Sequence, residues 1–347
     1  MQQTPQSENT PSPDKQAGFA YSNHIMLPAK DRLTLCFAHV AYRLQERFLA
    51  RDTGMASFEA RSLDELKQRL PEADVLVVSG LWRNALLDGA PRLRFIQSIS
   101  AGVDQYDAAA LKARGIHLAS AQGANEKAVA EHAMALILAL ARRLPEARDN
   151  QARHHWRPMM SEFTRREDEL GGKTLLIIGF GRIGQRLAKL AKAFDLRVIG
   201  LRRDAVAGGA HADSVHPIGE LPALLPQADI VALTCPLTPQ TERLINANAL
   251  AAMKSSALLI NVARGRCVDE PALIAALKEG RIASAGLDCL ADEPPAAESP
   301  LWDFPNVVIT PHSAGETRRY EDNVLDLLLE NLDRLWSNRL PLKNQIV

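Results

Sequence analysis

The run Gly179-Phe180-Gly181-Arg182-Ile183-Gly184 follows the apolar stretch 175–178 directly and opens a helical stretch over 185–194. Strand, glycine turn, helix is the order a dinucleotide pyrophosphate requires. The first glycine permits a tight turn, and the second lets the backbone approach the phosphates. The third lets the helix pack on the strand, with its N-terminus aimed at the anion. All six residues are therefore assigned to cofactor binding. The motif lies mid-chain, which leaves room ahead of it for a second domain.

The 347 residues suffice for two ordinary cores. Forty-one basic side chains balance 41 acidic ones, so no global field draws the chain to nucleic acid or an anionic membrane. Cys36, Cys235, Cys267 and Cys289 have no metal-ligand spacing, and three of them lie in apolar or strand-like segments and read as small buried hydrophobes, so no metal is expected. Residues 1–30 lack an apolar core and any arginine, which fits neither a secretory signal nor a transit peptide; they read as a mobile tail. The longest small-plus-apolar run, 133–141, is too short to span a bilayer. A cytoplasmic protein is expected.

After the tail, β-like runs at 33–37, 74–79, 95–98 and 116–119 alternate with helical ones at 42–50 and 107–113. Such alternation predicts a parallel sheet with crossover helices. A helix over 125–144 is apolar nearly all round, so it is buried on several sides, in a core or at a subunit interface. His132 on this helix reads as a packed histidine. Further strands are expected at 197–201, 230–234, 257–262, 282–286 and 307–310, and a closing helix at 322–336. In open parallel sheets, ligands bind outside the carboxyl ends of strands, so the loops there are where chemistry belongs. Three stand out: Ile260-Asn261-Val262-Ala263-Arg264-Gly265, the pair Gly286-Leu287-Asp288 and Asp292-Glu293-Pro294, and Thr310-Pro311-His312-Ser313-Ala314-Gly315.

With Ala101-Gly102-Val103-Asp104, Asn125, Val129-Ala130-Glu131-His132, Trp156, residues 169–174, Cys235-Pro236-Leu237-Thr238 and Thr241, these segments resemble the D-isomer-specific 2-hydroxyacid dehydrogenase family. The resemblance runs from about Asp74 nearly to the end. It implies a two-lobed α/β protein, both lobes with parallel sheets. A Rossmann-like dinucleotide lobe would span 121–312, and a flavodoxin-like substrate lobe 31–120 plus 313–347. The active site would lie in the cleft, and dinucleotide lobes would pair into a homodimer. By position, the resemblance makes His312 the acid–base, Glu293 its carboxylate partner and Arg264 the substrate-orienting cation. The amides of Ala101, Gly102 and Val103 would bind the substrate carboxylate. Asp288 would contact the nicotinamide amide. Cys235, Pro236 and Thr241 would line the adenosine side, and Val262, Ala263, Ser313 and Gly315 would border the cofactor. Trp156 either reaches across the dimer or is a buried structural residue.

The chemistry supports these roles independently. Reducing a 2-keto acid puts a hydride on carbon and a proton on oxygen, and a histidine, with its ordinary pKa of ~6.5, suits the proton transfer. A neighbouring carboxylate favours the imidazolium, and an arginine stabilises charge developing on oxygen. Leu81 and Trp82 are read as an apolar wall of the substrate pocket, and Arg83 as a candidate contact for an anionic tail. Arg202 and Arg203 stand where an acid would bind the ribose hydroxyls of NAD; arginine instead attracts the 2′-phosphate of NADP. NADP is therefore expected over NAD, with Asp204 as the route by which NAD remains possible. A small 2-keto acid such as glyoxylate or hydroxypyruvate is the expected substrate. A 3-phosphoglycerate or phosphite dehydrogenase is the alternative on the same scaffold; the chain's end soon after the closing helix weighs against the former. A dinucleotide-sensing corepressor is the alternative of another class.

Overall fold

The computed structural model describes residues 27–205 and 209–347. Of the expected tail, residues 1–26 lie outside the described residues. Residues 27–30 do not trail away: Leu27 is buried, and the Pro28 carbonyl accepts the indole N–H of Trp336 at 2.9 Å. One apolar side chain and one carbonyl suffice to dock them.

Two parallel sheets form the frame. The first contains β1 (Thr34–Ala38), β2 (Ala56–Ala60), β3 (Val75–Val78), β4 (Phe95–Ser98) and β5 (His117–Ala119) in the order β2-β1-β3-β4-β5. Helices α1 (Leu44–Leu49), α2 (Leu63–Arg69) and α3 (Ala108–Ala113) connect its strands. Residues 75–78 are Val, Leu, Val and Val, all buried, as a strand covered on both faces requires. β2 escaped the sequence reading because it is an edge strand with only Phe58 and Ala60 buried.

The chain then crosses into α4 (Glu126–Ala141), which ends earlier than expected. Arg143 turns the backbone into the left-handed region (φ 51°), and α5 (Leu144–Ala152) starts afresh. The second sheet contains β6 (Thr174–Ile178), β7 (Arg197–Arg202), β8 (Ser214–Pro217), β9 (Ile230–Leu233), β10 (Leu258–Asn261), β11 (Ser284–Leu287) and β12 (Val307–Ile309). Their order is β12-β11-β10-β9-β6-β7-β8. Helices α6 (Arg182–Lys192), α7 (Leu221–Leu224), α8 (Ala247–Ala252) and α9 (Glu270–Lys278) join them. α4 is buried within the subunit: Val129, Ala133, Leu136, Ile137 and Leu140 share one core with Leu175, Ile177 and Leu187.

The last helix, α10 (Tyr320–Trp336), returns to the first sheet, where Val324, Leu325, Leu328 and Leu332 pack with Leu35, Phe37 and Phe95. Its outer face is tied by Arg47 to Asp322 and by Arg51 to Asp326. The C-terminal segment adds an antiparallel bridge between Gln345 and Ala119. The first lobe is thus built from both ends of the described chain. Residues 120–125 and 313–319 are the two crossings, and the cleft lies between the carboxyl ends of the two sheets.

Candidate active site

The strand order of the second sheet reverses between the parallel neighbours β6 and β9, so their carboxyl ends open a crevice at the switch point. The glycine turn fills it, and each glycine has its own constraint. Gly179 has φ +97°, and a Cβ there would sit 2.5 Å from the Cys235 backbone. At Gly181 a Cβ would meet nothing nearer than 4.0 Å, which leaves its face open to a ligand. At Gly184 a Cβ would press on the Gly179 carbonyl at 2.8 Å and on Ile177, so this glycine allows the helix to seat on β6. The N–H groups of Arg182 and Ile183 begin α6 and have no intrahelical acceptor, so they point at the turn as anion donors.

Two members of the fingerprint are placed differently from expectation. The Phe180 ring faces the core: it is fully buried against Gly200 and Gly209, and the residue's N–H donates to the Leu201 carbonyl at 2.8 Å. The Arg182 guanidinium turns toward Gly123 and donates to Asn344 Oδ1 at 3.5 Å, leaving only its backbone at the turn. A cavity of about 770 Å³ behind the crossing is lined by Glu126, Glu131, Arg182, Gln185 and Arg319; of the residues assigned to the site it contains only Arg182.

Around the turn, Thr234 Oγ1 donates to the Gly179 carbonyl at 2.9 Å, which joins the ends of β6 and β9. Thr241 Oγ1 donates to the Pro236 carbonyl at 2.7 Å and accepts the Thr238 N–H at 2.8 Å, so it knits the 236–241 loop. Cys235 is buried against Gly179. At the end of β7, Arg202 is half-buried and Arg203 exposed.

The chemical residues converge. Asn261, buried at the end of β10, accepts the Ala263 N–H and donates to the Arg264 carbonyl, each at 3.0 Å. That bracket sets Val262 and Ala263 and aims Arg264, whose Nη1 donates to the Ala263 carbonyl at 2.7 Å. Gly265 follows because a Cβ there would collide with the Leu290 carbonyl; the Arg264 loop lies directly on the next loop. In that loop Glu293 Oε1 accepts the Leu290 N–H at 3.0 Å, and Glu293 Oε2 lies 2.8 Å from His312 Nδ1. With Nδ1 so engaged, His312 Nε2 is left for a ligand. The ring is 44% exposed, so a substrate can reach it.

His312 itself is held at φ +54°, a left-handed conformation that costs a non-glycine residue on the order of 1 kcal/mol. Asp288 offsets this from beneath. It is 2% exposed, and its Oδ1 accepts the Thr310 hydroxyl at 2.6 Å and the Ser313 N–H at 2.9 Å. Both its oxygens receive the Ala314 N–H at 3.1 Å. In this structure Asp288 anchors the histidine loop. Gly315 closes that loop against Asn125, whose Nδ2 would lie 2.6 Å from a Cβ there.

From the first lobe, Gly102 meets Arg264 directly: a Cβ on Gly102 would collide with Arg264 Nη2. Among the described residues, the N–H groups of Ala101, Gly102 and Val103 donate to no protein acceptor. Beside them, Leu81 is half-buried, whereas Trp82 is no pocket wall. Its ring is 1% exposed, stacks obliquely near Tyr106 and donates to Asn84 Oδ1 at 2.9 Å. Arg83 turns back on the carbonyls of Gly80 (2.8 Å) and Trp82 (2.6 Å).

The four cysteines are all free and buried. Burial, with the charges of Asp288 and Glu293 adding to it, pushes the Cys289 thiol up, so it stays protonated and inert. Trp156 is 95% exposed, which removes the buried structural reading within one subunit. His132 reaches the site after all, through Thr310 Oγ1 at 2.9 Å. No periodicity marks such a residue, because a helix face that is buried looks the same whatever it touches.

The NAD-binding-domain model of the D-isomer specific 2-hydroxyacid dehydrogenases matches residues 134–314, more than half of the chain. The chain belongs to this family. A glyoxylate/hydroxypyruvate reductase B of Yersinia enterocolitica is 38% identical over 304 residues, 85% of this chain and 90% of that one. A D-3-phosphoglycerate dehydrogenase of Methanocaldococcus jannaschii is 36% identical over 279 residues, 80% of this chain; the match spans only about half (52%) of that longer relative. Among solved structures, an NADPH-dependent glyoxylate/hydroxypyruvate reductase of Sinorhizobium meliloti aligns with a TM-score of 0.77 at 27% identity, covering 91% of this chain and 98% of that one. Family membership and the two parallel sheets agree with the two-lobed α/β architecture expected from the sequence. Among the described residues, no helix is long and apolar enough to cross a membrane.

Proposed function

We propose that the protein reduces a small 2-keto acid to its D-2-hydroxy acid with NADPH. The observation that carries this reading is the His312–Glu293 contact at 2.8 Å, beside an Arg264 guanidinium pressed onto Gly102 from the other lobe. The open face of Gly181 and the free first-turn N–H groups of α6 fit a dinucleotide pyrophosphate. When bound, the reduced nicotinamide supplies the hydride that becomes the new C–H bond at the keto carbon. This chain's residues do the rest. The unengaged amides of residues 101–103 receive the substrate carboxylate, and Arg264 polarises the keto oxygen and holds it in line. His312 Nε2 passes its proton to that oxygen as the C=O π bond breaks, and the imidazole is left neutral against Glu293.

A small tail fits better than a phosphorylated one. Arg83 Nη1 donates to the carbonyls of Gly80 and Trp82, which ties this guanidinium to its own loop. Arg202 and Arg203 at the end of β7 support NADPH over NADH. The exposed Trp156 (95%), Met159 (98%) and Phe163 (78%) support a homodimer in which this apolar arm is covered, and the buried free thiols suit the cytoplasm.

The test is turnover of glyoxylate, hydroxypyruvate and phosphohydroxypyruvate with each cofactor. Efficiency with NADH equal to that with NADPH overturns the cofactor reading, and Arg202→Asp should move preference toward NADH. Cofactor binding without flux on any keto acid overturns the enzymatic reading in favour of a dinucleotide sensor.

A further inference from the structure

Thr310 has one hydroxyl proton, and Asp288 Oδ1 lies 2.6 Å from its oxygen. That carboxylate can only accept, so the Thr310 proton points to it. The Thr310 oxygen must then be the acceptor of the second contact, 2.9 Å from His132 Nε2. The tautomer of His132 follows: Nε2 carries a proton and donates it. The resulting row runs from His132 through Thr310 to Asp288, whose Oδ1 also lies 3.5 Å from His132 Nε2 directly and which gathers the N–H groups of Ser313 and Ala314. His312 stands in the middle of the segment so bound, at its left-handed φ. The far end of the segment, Gly315, rests on Asn125. Asn125 and His132 are seven residues apart, two turns or ~10.5 Å along the helix, and lie on one face. α4 therefore grips the histidine loop at both ends.

We infer that His132 is a positioning residue for His312. Its Nε2–H orients the Thr310 hydroxyl on Asp288 and so fixes the loop that presents His312 between Glu293 and the substrate. The inference rests on His312 being the acid–base. His132 reaches the loop through the Thr310 hydroxyl, and its effect passes through the loop.

Two variants test it. His132→Leu keeps an apolar body in the helix and removes the donor, whereas His132→Gln keeps an N–H at a similar reach. His132→Leu should lower kcat about tenfold or more while the keto-acid KM and the NADPH Kd stay within about twofold. His132→Gln should recover most of kcat. Thr310→Val cuts the same row from the other side, and the double variant should be no worse than either single one, as expected of residues acting as a unit. Hydrogen exchange of the Ser313 and Ala314 amides should quicken about tenfold in His132→Leu and return toward wild type in His132→Gln. Unchanged kcat and exchange in His132→Leu overturns the inference. So does a loss shared by KM and kcat that glutamine does not rescue, which marks plain packing. If the wild type reduces no keto acid, the function proposed above fails, while the exchange measurement still decides the role of His132.

Discussion

The two lobes meet the cleft with different materials. The seven-stranded lobe sends in side chains, Arg264, Glu293 and His312, and two of them rest on buried polar groups: Asn261 under the arginine, Asp288 under the histidine. The five-stranded lobe offers backbone, the free amides of residues 101–103, and turns its own larger groups inward, with Trp82 in its core and Arg83 on its own carbonyls. In the mechanism proposed above, the seven-stranded lobe therefore carries the bond-making groups and the five-stranded lobe the groups that recognise the substrate carboxylate. A lobe that recognises through backbone can change its tail-facing side chains without disturbing the chemistry.

The sharpest test of that division removes side chains from the seven-stranded lobe. Arg264→Ala or His312→Ala should cut kcat/KM by on the order of 100- to 1,000-fold, while NADPH affinity, measured by fluorescence titration, stays nearly unchanged. A matching loss on truncating Leu81 or Val103 to alanine would break the comparison.

Next come the glycines of the same lobe, which separate folding from binding. Gly179→Ala forces a Cβ to 2.5 Å from the Cys235 backbone at φ +97° and should lower stability by roughly 2–4 kcal/mol in a denaturant melt. Gly181→Ala meets open space, so it should leave the melt alone and weaken cofactor binding instead. In the five-stranded lobe, Gly102→Ala places a methyl against Arg264 Nη2 and should reduce kcat/KM about tenfold with no change in Tm. Equal behaviour of Gly102→Ala and Gly181→Ala in cofactor titrations would show that the lobes do not divide the work as described.

Much of this was legible in the residues, and the misses share a cause. Buried parallel strands such as 75–78 and 174–178 announce themselves as continuous apolar runs. The edge strands β2 and β8 do not, because few of their side chains are buried: two in β2 and none in β8. The loops of Arg264, Glu293 and His312 stand out by position at strand ends, and the family resemblance singles out the three residues within them. The inward turn of the Trp82 and Phe180 rings is not legible, because a sequence places the backbone of a loop at a site without saying which way a ring turns. Phe180 turns inward since Gly200 and Gly209 leave a hole the size of its ring. His132 and Asn261 act through hydrogen bonds made across the fold, and no spacing along the chain encodes those.

The mildest difference between the lobes is in acid. His39 and His117, both in the five-stranded lobe, have pKa values lowered from 6.5 by burial, with Arg61 adding to the effect at His39. His39 Nδ1 accepts the N–H groups of Ala41 (3.0 Å) and Tyr42 (2.8 Å), which only the unprotonated nitrogen can do. A lowered folded-state value means that the stability from these neutral rings is whole above about pH 6.5 and is lost as pH falls from there through the folded-state values. In the seven-stranded lobe, Asp213 is held below the usual carboxylate range by the Val198 N–H and Lys192, so its contribution persists until pH falls through that lower range. Between pH 7 and 5, protection from hydrogen exchange, corrected for intrinsic rates, should fall in β1 and β5 before it falls in β6 and β7. The variant His39→Asn, which keeps an acceptor near the Nδ1 position, should flatten the part of that slope belonging to β1. Uniform loosening of both sheets over this range would mean that the lobes unfold as one unit and that the contrast at the cleft does not extend to their stability.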